Sequence, residues 1–286
     1  MVVFIDEVSL FCNDITHNDT LSKILKLVFV LLMRIIKNCH KIIVCQASIN
    51  DNVFKLLNFR DDANKLFVMN EYKNYKGINA HLYNDENNFY QKLQSNVTEN
   101  KYFLIASDSK SNVDNYYNLL YESATEENKQ KFILITSETK IKIEDASTQF
   151  KDKFVFYSPS IIYGVDFNIE EVQDVFLILK GNTISPSESF QQITRTRKIK
   201  DVYIFSSAKE HKPIYNTIDD VKTYYNDVNI LHNTFNEMCT IVDENNDYNI
   251  MENTFYELFI NNEYSVDVIN TNKSEHLKNI LTDRGF

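Results

Sequence analysis

The sequence has no tryptophan, only four glycines and three prolines in 286 residues, and four cysteines that form no C-x-x-C pair. A collagen-like rod and a small disulfide scaffold are therefore excluded. Cys39, His40 and Cys45 hint at a metal, but no second ligand pair follows, and reduced, partly buried thiols are expected. Long apolar runs are also missing. The longest, Ile24 to Ile36, is interrupted by Lys26 and Arg34 and is too short to span a bilayer, so it predicts a buried helix and no membrane partner. Asp6 and Glu7 interrupt the amino-terminal apolar run and no A-x-A-like site follows, so no signal peptide is expected, and the protein is expected to stay inside the cell. With so few glycines, each one is expected to serve its backbone.

What is present is ordinary globular material: 43% apolar and 24% charged residues, enough for one or two cores. At roughly 150 residues per domain the length suggests about two domains. Thirty basic against forty acidic side chains leave a net charge of −10, so no global positive field draws this chain onto nucleic acid. Any such contact has to come from a local groove.

The patterning predicts an α/β protein. Val2 to Ile5 is a β-branched run expected to be a parallel strand buried on both faces, followed by a helix over 22–37 and a strand over 41–45. A helix over 52–57 and a third strand over 65–69 complete the first unit. Residues 72–100 are polar and predict a linker around a helix at 88–93. Strands at 102–106, 132–136, 154–157, 175–179 and 202–205, with helices over 113–121 and 190–197, predict a second α/β domain. From about Thr217 the chain is acidic and aromatic, with helical spacing at 218–225 and 251–259; a cap on the second domain is the expected role.

Three constellations could carry chemistry. Asp6 and Glu7 close the first strand, where open α/β sheets bind ligands; there an Asp can hold Mg²⁺ through water and a Glu can activate a water. A strand capped by solvated acids is the plainer reading of the same residues. Gly164 lies two residues before Asp166, after a strand and a Ser-Pro loop, which suits close approach of a ligand or simply a turn glycine with a helix-capping Asp. Gln191-Gln192-Ile193-Thr194-Arg195-Thr196-Arg197-Lys198 is a dense positive cluster in an acidic protein. Its guanidinium forks suit phosphate oxygens, and a solvated basic helix face is the alternative.

Taken in order, the three resemble the superfamily 2 helicases. Asp6-Glu7 is similar to the Asp-Glu of motif II. Ser158 to Asp166 is similar to motif V (T-x-x-x-A-R-G-L-D), with Ser in place of Thr. Gln191 to Lys198 is similar to motif VI (H-R-I-G-R-T-G-R) at the Ile, the following Arg and the Thr. Ala47-Ser48 stands at the place of motif III, with Gln46 where relatives often show an acid, and Ser107 to Lys110 at that of motif IV. The run Y-S-P-S-I-I-Y-G-V-D-F followed by Q-Q-I-T-R-T-R resembles the replication origin-binding helicases of herpesviruses and large DNA viruses.

The resemblance implies two RecA-like parallel-sheet domains, the first truncated (1–96) and the second at 97–212, with a helical carboxyl-terminal extension over 213–286. It also implies ATP and Mg²⁺ as cofactors and DNA, as a single strand or a replication origin, as partner. Asp6 would hold Mg²⁺ and Glu7 would be the base. Gly164 and Asp166 would line the nucleotide cleft, and Gln191 would couple nucleotide state to closure. Arg195 would be the arginine finger with Arg197 assisting, and Lys198 stands where a second finger is usual. Ser107, Lys110 and Ser158 would touch the phosphodiester backbone.

No G-x-x-x-x-G-K-[ST] occurs; the glycines at 77, 164, 181 and 285 cannot supply one. Backbone amides and a lysine that would cradle the β- and γ-phosphates are thus missing. The chain is expected to be the later part of a helicase core, inactive alone and completed by a phosphate-loop segment, on a separate chain in one version. A non-catalytic nucleic-acid-binding or scaffold module is the alternative.

Overall fold

In the computed structural model, the residues described are 1–17, 23–46, 49–60, 64–139, 141–159, 167–181, 183–227, 233–242, 244 and 248–286. The chain opens with β1 (Val2–Asp6), α1 (Val8–His17), α2 (Leu25–Asn38), β2 (Lys41–Cys45) and α3 (Asp51–Asn58). It continues with β3 (Asn79–Tyr83), α4 (Glu86–Thr98), β4 (Phe103–Ser107), α5 (Lys110–Ser123), α6 (Glu126–Lys129), β5 (Phe132–Ile135), α7 (Ala146–Gln149) and β6 (Phe154–Tyr157). Next come β7 (Gln173–Leu179), α8 (Pro186–Ile193) and β8 (Ile199–Ser206). The last stretch holds α9 (Ile218–Asp227), α10 (Asn233–Cys239), β9 (Thr240–Val242), β10 (Tyr248–Ile250), α11 (Thr254–Thr271) and α12 (Lys273–Arg284).

Two compact units result. One joins Met1–Met69 to Pro213–Val268, the other Asn70–Lys212 to Ile269–Phe286. The division expected at 96/97 therefore falls at 69/70, while the one at 212/213 coincides with a unit boundary. β3 and α4 pack with the later strands, and the tail is shared: α9 to α11 bury Val221, Phe235, Phe255 and Phe259 with α1 and α2, while α12 buries Leu277 and Leu281 against the larger sheet.

The larger unit is a six-stranded sheet in the order β3-β8-β7-β4-β6-β5, parallel at every pairing. Alternation along each strand serves two apolar layers. Phe103, Ile105, Phe154, Phe156, Phe176 and Ile178 meet Phe89 and Leu93 of α4 and Val113 and Leu120 of α5. Leu104, Val155, Val175, Leu177 and Ile204 face Phe150, Phe190 and Ile193 on the other side. This is the α/β class expected of residues 97–212, with one more strand. That strand, β3, replaces part of the predicted linker; it is a sheet edge and its sequence, Asn-Ala-His-Leu-Tyr, is half polar.

The smaller unit holds one parallel pair, β1 with β2, and a short antiparallel pair, β9 with β10. Two expectations change here. β1 is not buried on both faces: Val3 and Ile5 turn inward while Val2 and Phe4 are 60% and 62% exposed. Lys65–Met69 pairs with no strand among the described residues, and Leu66 is 89% exposed. An apolar run becomes a strand only when a neighbour takes its backbone groups. The helix predicted at 190–197 begins earlier, because Ser185 and Glu188 form a reciprocal capping box with Pro186 in the first turn.

Candidate functional site

The first cluster is built by the parallel register of β1 and β2, which sets Asp6 beside Cys45 at the carboxyl end of the pair. The Cys45 thiol donates to Asp6 Oδ1 at 3.1 Å, and the Glu7 amide donates to the same oxygen at 3.0 Å. That hydrogen bond, with the carboxylate's charge, holds the Cys45 thiol above the ordinary thiol range. Glu7 has φ +50°, an uncommon conformation for a residue with a Cβ, and its carbonyl accepts from Phe11 N at 3.0 Å as α1 begins. Gln46, just past β2, accepts from Ser9 N through Oε1. The Asp-Glu turn is thus braced from the end of the neighbouring strand.

This cluster suits one Mg²⁺ ligand. Asp6 is exposed, and both bonds described for it use Oδ1. Among the described residues no group of three or more His, Cys, Asp or Glu side chains is assembled to hold a metal. A single carboxylate with water and substrate phosphates is a usual Mg²⁺ arrangement. A phosphate cradle is a different matter, since the sequence has no G-x-x-x-x-G-K-[ST].

The second cluster closes α8 in the larger unit. Tyr157, fully buried at the end of β6, donates to Gln192 O at 2.7 Å, and Arg195 N donates to the same carbonyl at 3.3 Å. Thr196 is buried and bridges to Phe167 as an isolated parallel pair, so Arg195 and Arg197 flank a fixed point. Burial raises the Tyr157 phenol, and the nearby Arg195 charge works the other way. Tyr75 is likewise raised by burial, opposed by its hydrogen bond with Thr194 and the charges of Arg284 and Arg197. Gln191 is half-buried on the same helix. Lys198 is committed to Glu170 in an ion pair.

The remaining predicted residues spread along the carboxyl edge of the larger sheet or fall outside the described residues, as Gly164, Asp166, Ala47 and Ser48 do. Ser107 is fully buried and its Oγ accepts from Ser109 N at 3.1 Å. Ser158 is 3% exposed, with its amide donating to Ile135 O. Neither hydroxyl is presented to solvent. Lys110 pairs with Asp114 at 3.1 Å and Glu138 at 2.8 Å.

Sequence reasoning missed Asp108. It is fully buried after β4 and its carboxylate accepts from Lys180 N at 2.8 Å and Gly181 N at 2.6 Å, joining the ends of β4 and β7. Gly181 has φ +80°, and a Cβ there would lie 2.8 Å from that of Ala208. The one available signal was that glycine, just past a buried strand.

No protein-family model matches the chain. Over 237 residues it is 27% identical to "Uncharacterized putative helicase R8" of Acanthamoeba polyphaga mimivirus, covering 72% of this chain and 22% of that protein. The chain is similar to a viral protein named as a helicase. It spans 22% of that relative's length. Two solved structures show a looser likeness. S. cerevisiae Dbp5 bound to RNA and ADP BeF3 has a TM-score of 0.45 at 15% identity, over 79% of this chain and 57% of that one. Mycobacterium smegmatis helicase Lhr bound to ssDNA and AMP-PNP has a TM-score of 0.46 at 11% identity, over 88% and 32%. Among the described residues, no helix is long and apolar enough to cross a membrane.

Proposed function

We propose that the chain is part of an ATP-dependent DNA helicase of the superfamily 2 kind, acting on single-stranded DNA or a replication origin. One observation carries the reading: Asp6 and Glu7 stand at the carboxyl end of a parallel strand with Glu7 held at φ +50°. Residues kept in sparsely populated backbone conformations concentrate at functional sites. Similarity to the mimivirus protein supports the same family.

In this reading Asp6 would hold Mg²⁺ through water, and Glu7 would orient the attacking water and take its proton. Arg195 would face the charge developing on the γ-phosphate, with Arg197 beside it and Gln191 reporting nucleotide state to the fold. Gly164 and Asp166 would line the nucleotide from the second domain. Bound Mg-ATP would supply the anhydride whose hydrolysis drives unwinding. Lys110 would reach DNA only by exchanging its two carboxylates for phosphates. Lys198 is the weakest member, because Glu170 already neutralises it.

The phosphate loop would have to come from a segment outside this sequence, on the same or another chain. A second reading follows from its absence: a module that keeps the fold and binds nucleic acid without turnover. ATP hydrolysis with and without single-stranded DNA separates the two. The chain alone should show none. After fusion to a segment bearing G-x-x-x-x-G-K-[ST], stimulated hydrolysis should appear, and Glu7→Gln or Arg195→Ala should reduce it by about 10³-fold or more. Turnover that survives either substitution overturns the assigned roles, and none after fusion favours the second reading.

A further inference from the structure

Residues 64–73 run with no helix, turn or bend, and every one of them is exposed. At their centre stand four consecutive large apolar side chains: Leu66, Phe67, Val68 and Met69 are 89%, 58%, 77% and 66% exposed. The half-exposed ring of Phe54 on α3 lies 6.1 Å from that of Phe67 and widens the patch. Among the described residues, no main-chain amide or carbonyl over 65–71 is bonded to another main-chain group. An apolar run with its backbone groups open is a template for another strand.

The order of the residues selects the strand that fits. Read outward from Val68, the segment complements itself when two copies run antiparallel. Val68 then meets Val68 on the two-fold axis, Phe67 meets Met69, and Lys65 meets Glu71. One face of the ribbon carries the sulfur–aromatic pairs, closed at both ends by opposite charges. The other carries the Val68 pair between Leu66–Asn70 pairs.

Both charges are available for this. Among the described residues neither Lys65 nor Glu71 makes an ion pair, and Lys65 Nζ donates on the surface to Asn58 Oδ1 at 2.8 Å. A parallel in-register ribbon would instead set Lys65 on Lys65 and Glu71 on Glu71, and like charges directly opposite are destabilising. The two-fold arrangement also closes after one partner, whereas head-to-tail pairing grows into filaments.

We propose that residues 65–71 are an isologous docking strand whose partner is the same segment of a second copy of this chain. Seven residues a side is small beside the roughly 20–30 of a standard interface, so the dimer is weak and reversible. The pairing is independent of the nucleotide reading.

Analytical ultracentrifugation of the full chain, from low micromolar to several hundred micromolar, tests this. A reversible monomer–dimer equilibrium with no larger species is expected. Val68→Asp sets two carboxylates face to face on the axis and should abolish it. Lys65→Glu or Glu71→Lys alone should weaken it about tenfold or more, because each makes the attractive end pairs repulsive. An equimolar mixture of these two variants, or both substitutions in one chain, should restore the dimer. All these positions are exposed, so the variants keep the fold. A monomer at every concentration, open-ended growth, dimers that survive Val68→Asp, or a mixture that stays monomeric would overturn the proposal.

Discussion

Gln46 Oε1 accepts the backbone amide of Ser9, so the residue after β2 caps the first turn of the helix that follows Asp6 and Glu7. The orphan amides at the start of a helix are normally met by a side chain just before it. Here the acceptor comes from the neighbouring strand, 37 positions away in sequence. Gln46→Leu should therefore cost about 0.5–2 kcal/mol of stability. Urea unfolding reads this directly. An unchanged midpoint would mean the bond contributes nothing.

Glu7 offers the opposite sign. At φ +50° its Cβ is crowded against the following carbonyl, a strain of about 1–2 kcal/mol for an L-residue. Glu7→Gly should relieve it and raise the unfolding midpoint, while removing the carboxylate that the proposed hydrolysis needs. A variant that is more stable as the chain alone, and inactive once fused to a segment bearing G-x-x-x-x-G-K-[ST], is the pattern of a residue kept for chemistry. If Glu7→Gly is instead destabilised, the turn depends on that side chain.

The parts legible in sequence were those whose signal is local. β4, β6 and β7 are buried on both faces, so nearly every residue in them is apolar and the run announces itself. Lys65–Met69 has the same appearance without a partner, and pairing is a relation between segments that one segment cannot reveal. β3 hides for the converse reason: half of its residues face away from the core at an edge. Asp6, Glu7, Arg195 and Arg197 could be picked out because their residue types are dense and ordered. Asp108 could not, because an isolated Asp shows nothing of the two amides it holds 72 and 73 positions later.

Tyr157 ties the end of β6 to the end of α8, sharing the Gln192 carbonyl with the Arg195 amide. Its hydroxyl is buried, so Tyr157→Phe leaves Gln192 O with one bond fewer and no water to replace it. The cost should be about 1–3 kcal/mol, measured by chemical denaturation. A loss far below this would show that the Arg195 amide alone satisfies the carbonyl.

Lys273 gives a pH dependence with a definite sign. Its amine donates to Ile184 O at 3.2 Å beside the carboxyl edge, and burial lowers its pKa although Asp108 and Glu188 pull the other way. The unfolded chain therefore holds this proton at pH values where the folded chain has released it. Unfolding free energy contributed by Lys273 must then rise with pH between the depressed folded value and the ordinary lysine range, and be lowest below both. Lys273→Met removes the titrating group, so the stability of the native protein relative to this variant should climb as pH is raised from neutral towards about 10. Paired denaturation curves across that range measure the difference. A flat difference would place the amine in water, and a falling one would mean that the two carboxylates outweigh burial.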